Sequence, residues 1–399
     1  MTTIPEENKK SLAATAWKDF IHKLDEAGQN ILGELGAIDS RERAEGFRYL
    51  TRLISIGLDM HLEHVDAAHP TFTRIITDTR KFVGDNPDTE YDYVTLEGSR
   101  EYRITGKRGV STYLAFCTYG KNAQGNPTIG ANLSDAGMQF EADGSFEILI
   151  GASNSRNAKN FLCINNETTS MMVRQYFLGD RSQRGTFHIE ALTPAAPPAP
   201  YSEEQLFLHL NKVGDFVKET SQMSSALSIF AALNSISSKN LAEGEIHSTL
   251  EVAGGKMVAS SRPTAMELAA KIDQKAIAGH MPTPDIQYSG AWWELKPGEA
   301  VVIEGKPIQA RYWSIQIFNR WLESPDYRYS KVAINSGEVQ YEADGSFVVV
   351  LAPENHHFKN WISTDGFTQG QVCFRALIAE SAPQVTYRIE KISNLAGKA

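Results

Sequence analysis

Phe140-Glu141-Ala142-Asp143-Gly144-Ser145-Phe146 returns further along the chain as Tyr341-Glu342-Ala343-Asp344-Gly345-Ser346-Phe347. The frame around each copy matches as well. Ile104-Thr105-Gly106-Lys107 is echoed by Ile303-Glu304-Gly305-Lys306, and Tyr113 before one apolar segment by Tyr312 before another. Asn160-Phe161 is echoed by Asn360-Trp361, and Arg174 in Val173-Arg174-Gln175-Tyr176 by Arg375 in Cys373-Phe374-Arg375-Ala376. The spacing stays near ~200 residues, far beyond a solenoid repeat and the size of a whole domain. The chain is therefore a duplicated domain. Within each copy the Asp-Gly pair lies between alternating apolar segments, which predicts a hairpin turn because its central positions need positive φ. That assigns the repeated motif to structure, since an Asp in such a turn spends its side chain on its own backbone.

The composition fits two cores: 399 residues, 42% of them apolar. Thirty-nine basic residues against 48 acidic ones give a net charge of −9 with no basic run, so nothing supplies the surface that nucleic acid or an anionic membrane requires. The start, Met1-Thr2-Thr3-Ile4-Pro5-Glu6-Glu7-Asn8, lacks the regions of a signal peptide, and no apolar stretch approaches a membrane span. A cytoplasmic protein is expected. Cys117, Cys163 and Cys373 stand apart, with no CxxC pair, and read as buried free thiols rather than a disulfide framework or zinc site.

Apolar residues at helical spacing predict a helix over residues 10–36, and Asp39-Ser40 offers an N-cap for a second. The stripe of that second helix is Phe47, Leu50, Ile54, Leu58, His61 and Val65, which sets His61 on or beside the buried face. From Tyr91 the pattern changes to short strands with Gly and Asn turns. Thr193-Pro194-Ala195-Ala196-Pro197-Pro198-Ala199-Pro200 reads as an extended linker. Beyond it Glu203 to Ile236 reads helical, a third helical piece begins at Pro263-Thr264, and strands resume near Trp292. The expected organisation is a first repeat over 1–192 (helices 1–80, β-section 90–192) and a linker over 193–200. The second repeat then covers 201–399 (helices 203–285, β-section 290–392). The fold class is α+β: two duplicated halves, each a helical section followed by an antiparallel β-sandwich or jelly-roll-like section.

Four groups of residues carry possible chemistry. Asp85, Asp88 and Glu90 crowd the Pro-containing segment Gly84-Asp85-Asn86-Pro87-Asp88-Thr89-Glu90-Tyr91, where carboxylates with raised pKa serve as acid or base. The plainer reading is an Asx turn. His61 and His64, with Glu63, share a helix face but form no known ligand signature, so no metal site is expected and these three are its weak candidates. Arg174 and Arg375, matched in the two halves inside apolar strands, read either as paired structural arginines or as an anion clamp facing a cleft between the halves. The second half is rich in aromatics, Trp292, Trp293, Trp313, Trp321, Trp361, Tyr312, Tyr327 and Tyr329, which suits a pocket or simply a core. No GxSxG elbow, Walker loop or GxGxxG is present, so no cofactor is expected.

Together, Gly84-Asp85-Asn86-Pro87-Asp88, Tyr102-Arg103-Ile104-Thr105-Gly106-Lys107-Arg108-Gly109, Val173-Arg174-Gln175-Tyr176-Phe177 and Asn360-Trp361-Ile362-Ser363-Thr364-Asp365-Gly366 make the chain resemble a bacterial family, the domain of unknown function numbered 1214. The resemblance implies β-sandwich, jelly-roll-like domains and brings no catalytic residue set. Ahead of Asn360-Trp361, where relatives tend to show a His and Asp-Pro-Gly, this chain has Pro353-Glu354-Asn355-His356-His357-Phe358-Lys359, and no role carries over to that loop.

The functional expectation is a cofactor-independent enzyme of bacterial small-molecule metabolism, a lyase, isomerase or hydrolase rather than an oxidoreductase. Its substrate would be largely apolar, aromatic or terpenoid-like, and held between the halves. Asp85, Asp88 and His61 would do acid/base work; Asn86, Arg103, Arg174, Trp292, Trp293, Tyr312, Asn360, Trp361 and Arg375 would bind the substrate. The rivals are a non-catalytic binder of a carbohydrate or lipid-like ligand and a structural protein forming a homodimer through its helical sections.

Overall fold

The computed structural model describes residues 11–33, 37, 39–154, 156–232, 235–236, 250–253, 256–258, 281, 283–381 and 385–395. Helix α1 (Leu12–Leu32) begins where Ser11 Oγ accepts from the Ala14 N–H, and α2 (Ser40–Leu58) where Asp39 accepts from the Glu42 N–H. The buried face of α2 is Tyr49, Leu50, Leu53 and Ile56, rotated from the expected stripe, and Phe47 is 42% exposed. The helix runs on through a π-helical turn, Asp59–Glu63, which puts Met60 into the core.

Nine strands follow among the described residues of the first half: β1 (Thr73–Ile76), β2 (Thr89–Thr95), β3 (Tyr102–Gly109), β4 (Tyr113–Lys121), β5 (Pro127–Ser134), β6 (Ser145–Gly151), β7 (Phe161–Cys163), β8 (Thr168–Tyr176) and β9 (Arg184–Ala191). They form two sheets, β1-β2-β8-β4-β5 and β7-β6-β3-β9. Alternation along each strand seals them into a sandwich. Met171 and Val173 point inward to meet Leu114, Phe116, Ile104 and Ile148, whereas Met172 and Arg174 face the other way.

After the Pro-rich segment come α3 (Glu203–Ala232) and the short strands β10 (Ser235–Ile236), β11 (Leu250–Ala253) and β12 (Lys256–Val258). The second sandwich is built from β13 (Ile286–Glu294), β14 (Glu299–Gly305), β15 (Tyr312–Phe318), β16 (Ala333–Asn335), β17 (Phe347–Ala352), β18 (Trp361–Ser363), β19 (Gln369–Leu377) and β20 (Val385–Lys391), before a last helical turn, Ile392–Leu395. Its sheets, β12-β11-β13-β19-β15-β16 and β18-β17-β14-β20, repeat the order of the first half strand for strand around β13-β19-β15-β16. The fold is thus α+β and duplicated.

Several details differ from the expectation. Strands β10 to β12 lie inside the stretch expected to be helical, and β13 begins at Ile286. The helical piece expected from Pro263 lies outside the described residues. The edge strands β7 and β18 pair in parallel with β6 and β17, so the smaller sheets are mixed. The Asp143-Gly144 and Asp344-Gly345 turns, with glycine φ of 79° and 82°, launch β6 and β17 rather than joining two laddered strands. Cys163 is exposed, whereas Cys117 and Cys373 are buried. The helices do not divide by half either. Ala16 and Phe20 of α1 pack on Leu210 and Val213 of α3, and Lys23 pairs with Asp215 at 2.7 Å, so one helical bundle serves both sandwiches.

Candidate functional site

Both larger sheets turn their outer faces toward the junction of the halves, where Tyr113, Ala115 and Tyr176 pack against Ile286, Tyr312 and Leu377. Each half then sends the segment before its first long strand into the other. Pro87-Asp88-Thr89-Glu90-Tyr91 enters β2, and Pro284-Asp285-Ile286-Gln287-Tyr288 enters β13. Asp88 Oδ2 accepts from the Tyr312 hydroxyl at 2.7 Å and from Asn335 Nδ2 at 3.1 Å. Asp285 Oδ2 accepts from the Tyr113 hydroxyl and from Asn132 Nδ2, the latter at 2.8 Å. The same Asp–Tyr–Asn latch thus closes twice, in opposite directions. Burial pushes the Asp88 carboxyl up, against the hydrogen bonds from Tyr312 and Asn335 that pull it down.

The two arginines obey the same exchange. Arg375 donates to the Gly84 carbonyl at 3.1 Å, and Arg174 to the carbonyl of Met281, the residue that corresponds to Gly84. Both are nearly fully buried, and neither is ion-paired among the described residues. The two guanidiniums converge: burial pushes the Tyr176 hydroxyl up, while Arg375, Arg174 and then Thr89 pull it down. A buried guanidinium whose hydrogen bonds go only to neutral groups is costly, and at Arg375 the charge of the Asp88 carboxyl offsets part of that cost without an ion pair.

Around Arg174 the remaining positions are filled to match. Tyr119 accepts from Arg174 at 2.8 Å, and its neighbours on that face of β4 are Ala115 and Cys117. The corresponding positions around Arg375 are Phe318, Ser314 and Gln316. Phe318 offers no hydroxyl, and Arg375 Nε and Gln316 Oε1 are buried without a hydrogen-bond partner, while Thr89 meets the Tyr176 hydroxyl and Ser314 that of Tyr312. Ser314 lies directly across from Arg375 in the β15–β19 ladder, and Gln316 is the next residue on the same face. Native structures rarely leave even one such atom unpaired. The half-buried Tyr288, paired with Arg375 in the β13–β19 ladder, has its ring 5.7 Å from the guanidinium. On the other side, Asn132 Oδ1 and Thr283 Oγ1 are also unpaired, but they belong to the Asp285 latch.

Asp88, Asn86, Tyr312, Arg174 and Arg375 are thus brought together as expected. Asn86 donates to Tyr312 at 3.1 Å and caps the turn by accepting from the Asp88 N–H. Asp85 lies beside them but is fully engaged. It is 1% exposed, accepts from the Ser324 N–H and hydroxyl at 2.9 and 2.5 Å, and has Lys81 Nζ at 3.7 Å, so it ties the halves together. The other expected residues lie elsewhere. Arg103 is on the surface, paired with Glu190, because β3 is central in the outer sheet and Arg103 points to solvent. Trp293 is a core residue of the second sandwich; Trp292, on the opposite face, lies under Arg320. Asn360 donates to the Gln340 and Val348 carbonyls as Asn160 does to Gln139 and Glu147, a loop brace repeated in both halves. Trp361 donates to the Ala352 carbonyl and packs near Phe358.

His61 does lie beside the buried face, its ring 5.4 Å from that of Phe216 on α3, and burial there lowers its pKa to about 4. Among the described residues no group of three or more His, Cys, Asp or Glu side chains could hold a metal ion, His61, Glu63 and His64 included. Thr89, Ser314, Gln316, Tyr176 and Tyr288 escaped the sequence reading. The signal was available in part, since Pro87-Asp88 with Tyr91 three residues on returns as Pro284-Asp285 with Tyr288.

The profile described as "Protein of unknown function (DUF1214)" matches residues 86–177 and again 293–381, one match per sandwich. Among solved structures, an uncharacterized protein from Burkholderia cenocepacia superposes with a TM-score of 0.79 at 30% identity, over 96% of this chain and 98% of that one. The VPA0106 protein of Vibrio parahaemolyticus matches at 10% identity with a TM-score of 0.47, over 91% of this chain and 99% of that one. No curated protein matches. Two matched repeats, carrying Arg174 and Arg375 in corresponding places, and a relative this similar over nearly its whole length mean that the chain belongs to the DUF1214 family.

Proposed function

We propose that this protein binds a small organic molecule at the junction of its two halves, with the polar end of the ligand at Arg375 and its apolar part along Tyr288 and Phe318. The observation that carries this reading is the buried Arg375, ion-paired with nothing among the described residues, with its Nε and the neighbouring Gln316 Oε1 lacking hydrogen-bond partners. Each unpaired atom costs the fold of order 1–3 kcal/mol unless something pairs with it, and a bound molecule can pair with both. The exposed free thiol of Cys163 supports a reducing, cytoplasmic setting.

A catalytic version, in which the protein is a cofactor-independent lyase, isomerase or hydrolase, is favoured by one observation: Asp88, with its raised carboxyl, adjoins the same centre. Against it, Asp285 makes the same two bonds in the other half, which is how a latch behaves. Native mass spectrometry on protein purified without a chelator tests the binding reading. A bound small molecule, lost on unfolding, supports it; protein that is empty and takes up nothing from a metabolite library overturns it.

A further inference from the structure

We infer that a second copy of this chain docks on the outer face of α1, the two α1 helices running antiparallel about a two-fold axis that passes between Ile21 and His22. At about 3.6 residues per turn, Trp17, Ile21, Gly28 and Leu32 fall on one stripe of that helix, about 22 Å long. Its large side chains are open to solvent: Trp17 is 58% exposed, Ile21 45% and Leu32 54%. Phe47 of α2, itself 42% exposed, adjoins the stripe at Gly28 and widens it. The opposite side of α1 is already packed into the bundle through Ala16, Phe20, Ala27 and Ile31.

Charge selects the occupant. Lys23 pairs with Asp215 and Glu26 with Lys218 inside the chain, whereas Lys18 and Asp25, both exposed, are ion-paired with nothing among the described residues. They stand two turns apart on one flank of the stripe, on either side of Ile21. A two-fold axis midway between them brings each Lys18 to the partner's Asp25, so the face is complementary to itself, as an isologous dimer requires. Parallel helices would oppose like charges instead. On the other flank the same axis sets Trp17 at the level of the partner's Glu26 to Gly28, beside its Phe47. Gly28 then has a reason to be glycine. A glycine inside a helix weakens it, and a Cβ here would meet nothing nearer than Phe47 Cε1 at 3.6 Å, an ordinary contact. Among the described residues nothing calls for that glycine, whereas an incoming indole needs the space.

Sedimentation velocity of the full chain from about 1 to 200 μM tests this, because a helix face of this size falls below a standard interface and should dissociate in the micromolar range. Ile21→Glu and Trp17→Ala should each weaken the dimer by roughly 100-fold, since the symmetry counts every substitution twice. Lys18→Asp and Asp25→Lys should each weaken it roughly 10-fold. An equimolar mixture of those two variants should dimerise like the unaltered protein, each offering the charges that the other lacks. All four substitutions are on the surface, so circular dichroism should stay native. A chain that is monomeric throughout, or a dimer indifferent to Ile21→Glu, would overturn the proposal. Loss of the dimer in Ile21→Glu with no response to either charge variant would rule out the antiparallel register. A monomer whose Trp17 resists hydroxyl-radical footprinting would rule out the second copy and give the stripe to another segment of the same chain.

Discussion

Arg174 and Arg375 stand at the same place in two copies of one sandwich, each reaching into the segment that the other half lends. Arg174 is built in: Tyr119 and the Met281 carbonyl take its donors, and apolar side chains fill the rest of its face. Arg375 has Phe318 where Arg174 has Tyr119, and beside it the Gln316 Oε1 has no hydrogen-bond partner. One copy holds the group against a tyrosine hydroxyl, and the other sets it beside Ser314 and Gln316. The lesson is that duplication lets a fold change the surroundings of one buried cation while the equivalent cation keeps its fastening.

The largest effect should come from removing the fastener. Arg174→Met leaves Tyr119 and the Met281 carbonyl without their donor and should destabilise by about 3 kcal/mol in urea titrations. Arg375→Met should cost clearly less in the empty protein, because part of what it removes is already unpaired. Equal losses at the two positions would break the comparison.

Next come the latches. Asp88→Ala strips the acceptor from Tyr312 and Asn335, and Asp285→Ala strips it from Tyr113 and Asn132. Each should cost about 2 kcal/mol by the same measurement, with matching values because the two bonds match. A large drop in ligand turnover in Asp88→Ala alone, at unchanged stability, would instead favour the catalytic version.

A third contact between the halves, His61 against Phe216, is read by pH. With its folded pKa lowered to about 4, His61 binds its proton more weakly than the unfolded chain does. Its stabilising contribution is complete above pH ~6.5 and is lost as pH falls toward 4, by about 2 kcal/mol for a half-buried ring. His61→Leu should therefore flatten the difference in stability between neutral and acid pH relative to the unaltered protein. A buried Glu323, raised to about 8 by its burial, works in the opposite sense and loses stability as pH climbs from ~4.5 to 8. The effect is read only as the difference between the two proteins.

The smallest effect tests the asymmetry most directly. Ser314→Ala writes the first half's Ala115 into the second, removing a buried hydroxyl that meets Tyr312. It should cost no more than ~1 kcal/mol in urea titrations, because Tyr312 keeps its bond to Asp88. A larger loss would show that the two halves depend on that position differently.

Much of this was legible beforehand, and the misses have reasons. The paired Asp-Gly turns, the matched arginines and the strand alternation announced two sandwiches, and Asp88, Asn86, Tyr312, Arg174 and Arg375 were named together. Asn360 and Trp361 were named for repetition and Arg103 for its residue type, yet they brace loops or face solvent. A repeated residue marks a position that the fold uses, and repetition by itself does not separate a brace from a site. Thr89, Ser314 and Gln316 carry no motif.

The sequence by itself determined the duplication, the two-residue period of the strands and the positive-φ turns, because these depend on neighbours a few residues apart. Only the tertiary structure decided that each half latches the other, and that the second guanidinium keeps its Nε unpaired. Whether a buried polar atom has a partner depends on every group that folding brings around it, across some 200 residues of chain, and local sequence holds no record of that.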